Sequence, residues 1–590
     1  MKNYQKIQWR MLALLLVLGS MILVIVEAMP PPNPVQCTQT GCTLSNSYGV
    51  WSDRKDCHVT SAVYPTSEEE LRSAVADANR RKLKVKVVSR FSHTIPKLAC
   101  PSPGSTMLIS TERYNTGIEV DVANLAVTAD AGVGLRELID RVEEEGLSLV
   151  AAPYWEGVSV GGVISTGAHG SSWWGRGGAV HDHVIGVRLV VPAKESQGFA
   201  RIVDLKGGDP LLNAAKVSLG MLGAISKVTL LLERGFKRSI RYNFTSDVGI
   251  EDEFMDHAQK HEFGDIQWYP SLHTAVYRYD DRVPVNATGD GVNDFLGFQS
   301  NLAIISKSVR ASEKAVEKAR NVNGKCILAS SFLSYKKLTA NGLKNSNNLK
   351  IFTGYPVIGR QGKMQTSGSC LYSPQSNTAT SCAWDPRING LFFFESTAIF
   401  PAKKFPDFVH DVRKLRDIVK SESFCGVDMY NGFLIRFVAK SGAYLGQSEN
   451  SVVVDFNYYR ADDSSTPRLN GDVWEEIEQM AFFKYGAKPH WAKNRDVAFF
   501  DVQKKYVDFG KFVEAKRFLD PTNVFSGEFS DGILTGKGVP ASVKGDGCAL
   551  EGECVCSEDR HCSPENGYFC RNGSVYGEAR VCRYSSSSIS

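Results

Sequence analysis

The 590-residue chain has no long run of like charge, and its formal net charge is only +4. That balance gives no footing for a nucleic-acid partner, which needs a concentrated basic face. The familiar nucleotide signatures are missing as well. No GxGxxG follows a strand, and no GxxxxGK precedes a Ser or Thr, so neither a Rossmann nor a P-loop site is indicated. His257 and His261 stand four apart, but no Glu follows His257 to complete HExxH. The pair reads as a solvated helix face rather than a zinc site. The polar loop DDRVPVNATGDGVNDF lacks the residue order of a calcium-binding EF-hand. The end of the chain, SSSSIS, has no hydrophobic stretch of the kind a lipid-anchor signal needs.

What is present points to export. Lys2, Lys6 and Arg10 precede the apolar stretch MLALLLVLGSMILVIV, and Val26-Glu27-Ala28 offers small residues for cleavage. A basic start, an apolar core and a small-residue exit predict a secretory signal peptide over residues 1–28, with an uncleaved anchor as the alternative. All 14 cysteines lie after this stretch, and an even number fits disulfides in an oxidising compartment. Asn243, Asn286 and Asn572 head N-x-Ser/Thr acceptor sequences, compatible with glycosylation. A secreted protein is expected, with no stable membrane insertion once the signal is removed.

Along the chain, a Pro-rich spacer (PPPNPVQ) leads to Cys37, Cys42 and Cys57 in an N-terminal segment, residues 29–53 and just beyond. An α/β pattern follows. Ser67 and Glu70 predict a capping box, with Leu71, Val75 and Ala78 on one helical face. Val85–Val88 and LAVTADAG predict strands, and GLRELIDRVEEEG predicts an amphipathic helix stopped at Gly146. At the far end Cys548, Cys554, Cys556, Cys562, Cys570 and Cys582 crowd a stretch with few large apolar residues. Three internal disulfides are expected there, with zinc as the alternative, although no CxxC pair occurs. Residues 540–590 read as a disulfide-stapled module that contributes little to flavin chemistry.

The stretch from Glu156 to Val191 is rich in glycine, which lets backbone approach a ligand closely. Within it, SVGGVISTGAHGSS (Ser159–Ser172) resembles the flavin-cradling segment of vanillyl-alcohol-oxidase-type FAD domains. PTSEEEL, VKVVSRFSH and VSLGMLGAISKVTL are similar to other segments of that fold, in the same order, while PHWAK and RFLDPTNVF resemble the aldonolactone oxidoreductase branch. The resemblance covers roughly residues 50–535, and the length, signal and cysteine-rich tail are similar to plant L-gulonolactone-oxidase-like proteins.

The resemblance implies an α+β fold: a two-subdomain FAD-binding domain over 54–236, an α+β substrate (cap) domain over 237–535, and the small disulfide-rich module. It implies FAD-dependent oxidation of an aldono-1,4-lactone, L-gulono-1,4-lactone first among them, at C2. Dioxygen would be the acceptor, hydrogen peroxide a product, and ascorbate the eventual product. A dehydrogenase using another acceptor and a non-catalytic secreted protein on a degenerate flavin fold stay open. Flavin contacts are implied for Ser89, Arg90, Phe91, Ser92 and His93, for Ser159, Gly161, Gly162, Ser165, Thr166, Gly167, His169 and Gly170, and for Ile225. In many relatives the first turn reads GGGHS and its histidine is bonded to the flavin. Here it reads SRFSH, so covalent attachment through His93 and non-covalent binding are both open.

For catalysis the resemblance implies an arginine near the flavin in a Glu-x-Arg strand. In NGFLIRFV the arginine is Arg436, but Leu434 occupies the glutamate position. His490 and Lys493 of HWAK are implied contacts to substrate or flavin. Glu395, an acid in the apolar FFFESTAIF, reads as a replacement carboxylate or half of a structural ion pair. No metal ligand is expected.

Overall fold

The structure, a computed structural model, describes residues 33–45, 54, 56–91, 96–293, 301–340, 356–364, 380–381, 393–535 and 545–585. The predicted signal segment, Ser92 and His93 lie outside these. Among the described residues no helix is long and apolar enough to cross a membrane.

Helix α1 (Glu68–Arg81) begins where Ser67 accepts a hydrogen bond from the Glu70 N–H at 3.2 Å. The capping box is shifted: the Glu70 carboxylate reaches the N–H of Thr66 at 2.7 Å instead of that of Ser67. Leu71, Val75 and Ala78 are buried, as their spacing requires. They cover a small parallel sheet in which β3 (Thr106–Ser110) lies between β1 (Ser61–Val63) and β2 (Lys84–Val88). Beside it stands a five-stranded antiparallel sheet of β4 (Ile118–Asp121), β5 (Ala126–Asp130), β6 (Val184–Pro192), β7 (Ala200–Lys206) and β8 (Ala224–Leu231), in the order β7-β6-β8-β5-β4. Helix α2 (Leu135–Glu144) buries Leu135, Leu138, Ile139 and Val142, and the chain turns at Gly146 with φ +73°. Two subdomains thus precede residue 236.

The next domain is an eight-stranded antiparallel sheet. Its strands are β9 (Lys237–Ser246), β10 (Asp265–Tyr269), β11 (Thr274–Val283), β12 (Val357–Arg360), β13 (Thr397–Pro401), β14 (Phe433–Val438), β15 (Ser451–Phe456) and β16 (Lys488–Pro489). Their spatial order is β12-β9-β11-β10-β14-β15-β13-β16. The histidine pair does not form the solvated face read from spacing. His257 is buried in the helix Ile250–Lys260, with its ring centroid 5.2 Å from that of Tyr277 and 5.0 Å from that of His261. Beyond β16 the chain returns to the first domain: the Val524 carbonyl accepts from the Val85 N–H at 2.8 Å, and Val524 and Phe525 complete the core beneath α1.

The tail carries the three expected disulfides, Cys548–Cys554, Cys556–Cys570 and Cys562–Cys582. Its cysteines are therefore spoken for as disulfides rather than zinc ligands. The module also packs against the preceding domain. It packs on the helix Gly471–Gln479, whose Glu476 carboxylate accepts from the N–H groups of Ser574, Val575 and Tyr576 at 2.6–2.9 Å. Glu475 accepts from Cys582 N–H at 2.9 Å. Buried acids need such partners, so helix and module are one packed unit. Three further disulfides, Cys37–Cys42, Cys57–Cys100 and Cys326–Cys425, are distributed over the described chain.

Candidate active site

Alternate residues of β14 share a face, which puts Leu434, Arg436 and Val438 together. Leu434 lies opposite Gln267 of β10 on one side and Asp455 of β15 on the other, and Asp455 lies opposite Thr397 of β13. A row of four side chains thus crosses four strands. Arg436, only 4% exposed, donates to the Asp455 carboxylate and, at 3.3 Å, to the His169 carbonyl. Asp455 also accepts from Thr397 Oγ1 and lies 3.2 Å from Lys493 Nζ. Lys493 in turn pairs with Glu395 at 2.7 Å. The structure therefore brings Arg436, Lys493 and Glu395 into one cluster, and it adds Asp455 as the residue that joins them.

The electrostatics follow from burial. Burial opposes ionisation of Asp455, but Arg436 and Lys493 outweigh it and hold the carboxyl well below the usual carboxylate range. Glu395 differs: burial pushes its carboxyl up, and Lys493 offsets only part of that. Burial, reinforced by Arg436, brings His169 down to about 3. Burial and the Lys493 cation carry His490 far below the ordinary imidazole range. Both imidazoles are thus neutral at physiological pH. Their tautomers are set by hydrogen bonds. His169 Nδ1 lies 2.9 Å from the Gly170 carbonyl, so it carries the proton, and buried Nε2 has no partner among the described residues. His490 Nδ1 accepts from the Ala492 N–H at 3.1 Å, so its proton sits on Nε2. The two ring centroids are 5.3 Å apart. Trp491, between the two functional positions of HWAK, packs against Tyr506 and Phe499.

The glycine-rich segment is joined to this cluster by backbone. Ser172 N–H donates to the Phe437 carbonyl at 2.7 Å, and Ser171 Oγ accepts from Phe437 N–H at 3.1 Å. That pairing sets the carbonyl of His169 against Arg436. Upstream, Ser159 caps the short helix Val160–Ser165 by accepting from Gly162 N–H at 3.1 Å. Gly161 is a packing glycine, because a Cβ there would sit 3.0 Å from that of Ala131. Gly162 is different: it is exposed, and only Ser159 Oγ would meet its Cβ within 4 Å. Ser165 and Thr166 donate to the carbonyls of Gly161 and Gly162 at 2.6 and 3.0 Å, and Gly167 turns with φ +67°. Gly170 N–H bonds the Gly178 carbonyl at 2.7 Å, and Ile225 is buried in β8. In the SRFSH turn, Ser89 Oγ accepts from Phe91 N–H at 3.2 Å, while Arg90 pairs with Glu137 over the Phe91 ring.

These residues fit a flavin on two grounds. Gly162 leaves its backbone open for close approach, and His169 Nε2 and Arg436 Nε are buried polar atoms with no partner among the described residues. FAD is the cofactor such a site would hold.

Residue reasoning along single strands missed Asp455 and the buried group beside it. Tyr154 donates to Asp265, accepts from Arg278 at 2.6 Å, and has its ring centroid 5.2 Å from the Arg436 guanidinium. The signal that marked Glu395, one acid in an apolar strand, is equally present in SVVVDFNYY.

Comparison with known proteins agrees with this geometry. The FAD binding domain family matches residues 59–195, the D-arabinono-1,4-lactone oxidase family residues 391–533, and the L-gulonolactone oxidase 2-like C-terminal domain residues 545–584. L-gulonolactone oxidase 3 of Arabidopsis thaliana is 63% identical over 96% of both chains. L-gulonolactone oxidase 5 of the same plant is 45% identical over 98% of both. The mouse L-gulonolactone oxidase is 24% identical, covering 82% of this chain and 97% of its own. Among solved structures, a solvent-stable cholesterol oxidase superposes with a TM-score of 0.63 at 15% identity, over 86% of this chain and all of its own, which shows the vanillyl-alcohol-oxidase-type fold. The chain is an FAD-dependent oxidoreductase and belongs to the L-gulonolactone oxidase family.

Proposed function

We propose that the protein oxidises an aldono-1,4-lactone at C2, L-gulono-1,4-lactone being the best-fitting substrate, with dioxygen as acceptor. The reading is carried by two cations, the buried Arg436 and the half-buried Lys493, held by Asp455 and Glu395 beside the glycine-rich segment. Bound FAD supplies the acceptor for the hydride of C2–H. The protein's part is to bind and orient the lactone. Fixed cations suit a site where negative charge develops, since they need no reorganisation as it appears. His490 presents a neutral Nε2–H, a donor for a lactone oxygen. Asp455 is held too firmly ionised to serve as a base, whereas the raised Glu395 carboxyl suits uptake of the C2 hydroxyl proton. Dioxygen then receives the two electrons and two protons and leaves as hydrogen peroxide, and the oxidised lactone tautomerises to ascorbate.

Mixing the holoprotein anaerobically with L-gulono-1,4-lactone should bleach the flavin absorbance, and admitting oxygen should restore it with release of peroxide. Bleaching without restoration would assign the enzyme another acceptor. No bleaching with any aldonolactone would overturn the reading. The same proposal places the protein in the secretory pathway. It is supported by the basic-apolar start, the disulfides, and the exposed positions of Asn243, Asn286 and Asn572. A mobility shift on deglycosylation of the expressed protein tests it, and an unglycosylated cytosolic product would refute it.

A further inference from the structure

The segment after the catalytic lysine leads into the cysteine-rich module. Asn494 adopts a left-handed backbone, φ +79°, a conformation asparagine tolerates better than most residues with a side chain. Its N–H donates to the Glu395 carbonyl at 3.1 Å, and its amide donates to Ser396 Oγ and the Thr397 carbonyl. Next comes Arg495, which is buried and pairs with Glu478. Glu478 also accepts from Ser396 Oγ at 3.0 Å. One buried carboxylate therefore ties the residue after Glu395 to the residue two past Lys493. The remaining face of Arg495 is closed by the module. Its guanidinium donates to the Leu550 carbonyl at 3.3 Å, and a Cβ on Gly552 would lie 2.6 Å from its Cζ. Val497 N–H bonds the Gly552 carbonyl at 3.1 Å. Leu550 and Gly552 belong to the short loop closed by the Cys548–Cys554 disulfide.

We infer that this disulfide-closed loop is a positioning element for the active site: it seats Arg495, and through Glu478, Ser396 and Asn494 it fixes the Lys493–Glu395 pair. Arg495 acts through its neighbours, Glu478 and Leu550. The inference rests on the proposed role of Lys493 in lactone oxidation, so its test needs a measurement that does not depend on that role.

The Lys493 side chain is 20% exposed, enough for a small reagent to reach it slowly. Reductive methylation of the holoprotein followed by peptide mass spectrometry reads its accessibility without any lactone. Replacing Cys548 and Cys554 together by Ser, and separately Arg495→Lys, should raise Lys493 labelling several-fold while FAD content is retained. Lactone-driven flavin reduction should fall by up to about 10²-fold at saturating lactone, the scale of a misplaced reacting group, with KM changing less. Arg495→Lys should be the milder, since lysine keeps the charge but cannot bridge Glu478 and Leu550 at once. Where the double cysteine variant fails to fold, Arg495→Lys decides. Unchanged Lys493 labelling in a folded, FAD-loaded Arg495→Lys protein would overturn the inference. If labelling rises but the unaltered protein oxidises no lactone, the positioning stands and the proposed function fails.

Discussion

Removing one member of the Arg436–Asp455 pair should cost more than removing both in proportion. Both side chains are buried, and each supplies the other's principal charge partner. Two unit charges about 4 Å apart interact by roughly 4 kcal/mol at an effective dielectric near 20. Stranding one buried charge costs about 3–5 kcal/mol. Arg436→Ala leaves Asp455 with Lys493 and Thr397 only, and Asp455→Asn leaves Arg436 with the His169 carbonyl. Asp455→Asn should therefore lose about 3–5 kcal/mol in urea unfolding of the holoprotein, and Arg436→Ala less, because Lys493 still pairs with Asp455. The double variant strands neither charge, so it should lose about 2–3 kcal/mol less than the sum of the singles. In stopped-flow reduction by L-gulono-1,4-lactone, Arg436→Ala should be slower by roughly 10²–10³-fold. Arg436→Lys should recover only part of that, for want of the planar fork. Strict additivity of the two unfolding losses would refute the pairing, and an Arg436→Ala protein reduced at the unaltered rate would remove Arg436 from the active site.

Three other outcomes follow from the same geometry. Because Asp455 is held below its ordinary pKa, its contribution is complete above the usual aspartate range and is lost as pH falls below about 4; unfolding midpoints of the unaltered and Asp455→Asn proteins should therefore converge as pH drops from 5 toward 2, and a constant gap would contradict this. Leu434→Glu sets a second carboxylate directly opposite Asp455, so it should destabilise the protein, while Leu434→Glu with Asp455→Leu should regain stability and lactone-driven reduction; equal behaviour of the two variants would dismiss the cross-strand argument. Acid-denatured protein run on a gel should keep flavin fluorescence if His93 carries the bond, and His93→Ala should abolish that fluorescence while retaining some FAD; free flavin from the unaltered protein would establish non-covalent binding.

Features set by near neighbours were legible in the residues themselves. Leu71, Val75 and Ala78 declare the buried face of α1, and Leu135 to Val142 that of α2, because a 3.6-residue period survives any tertiary context. The crowded cysteines of the tail likewise declare staples. Arg436, His490, Lys493 and Glu395 were each recognisable from their strand or turn. What no local pattern carries is their relation. The return of Val524 and Phe525 to the first domain depends on hydrogen bonds to β2 more than four hundred residues away in the chain. The tail's docking depends on Glu475 and Glu476, which look like ordinary solvent-facing acids in a helix until the module covers them.

Leu434 shows most clearly how a strand motif misleads when read along one strand. A leucine in place of the expected glutamate suggests a lost carboxylate and a weakened site. In the sheet, the residue directly across from Leu434 is Asp455, on the same face as Arg436 and bonded to it. A carboxylate is therefore present on this face, on the neighbouring strand. Two facing carboxylates would repel, so an apolar residue at 434 is what an acid at 455 requires. The acid stands one strand over from Leu434, with Arg436 as its partner. Register across the sheet, rather than spacing along the chain, decides which groups meet one another.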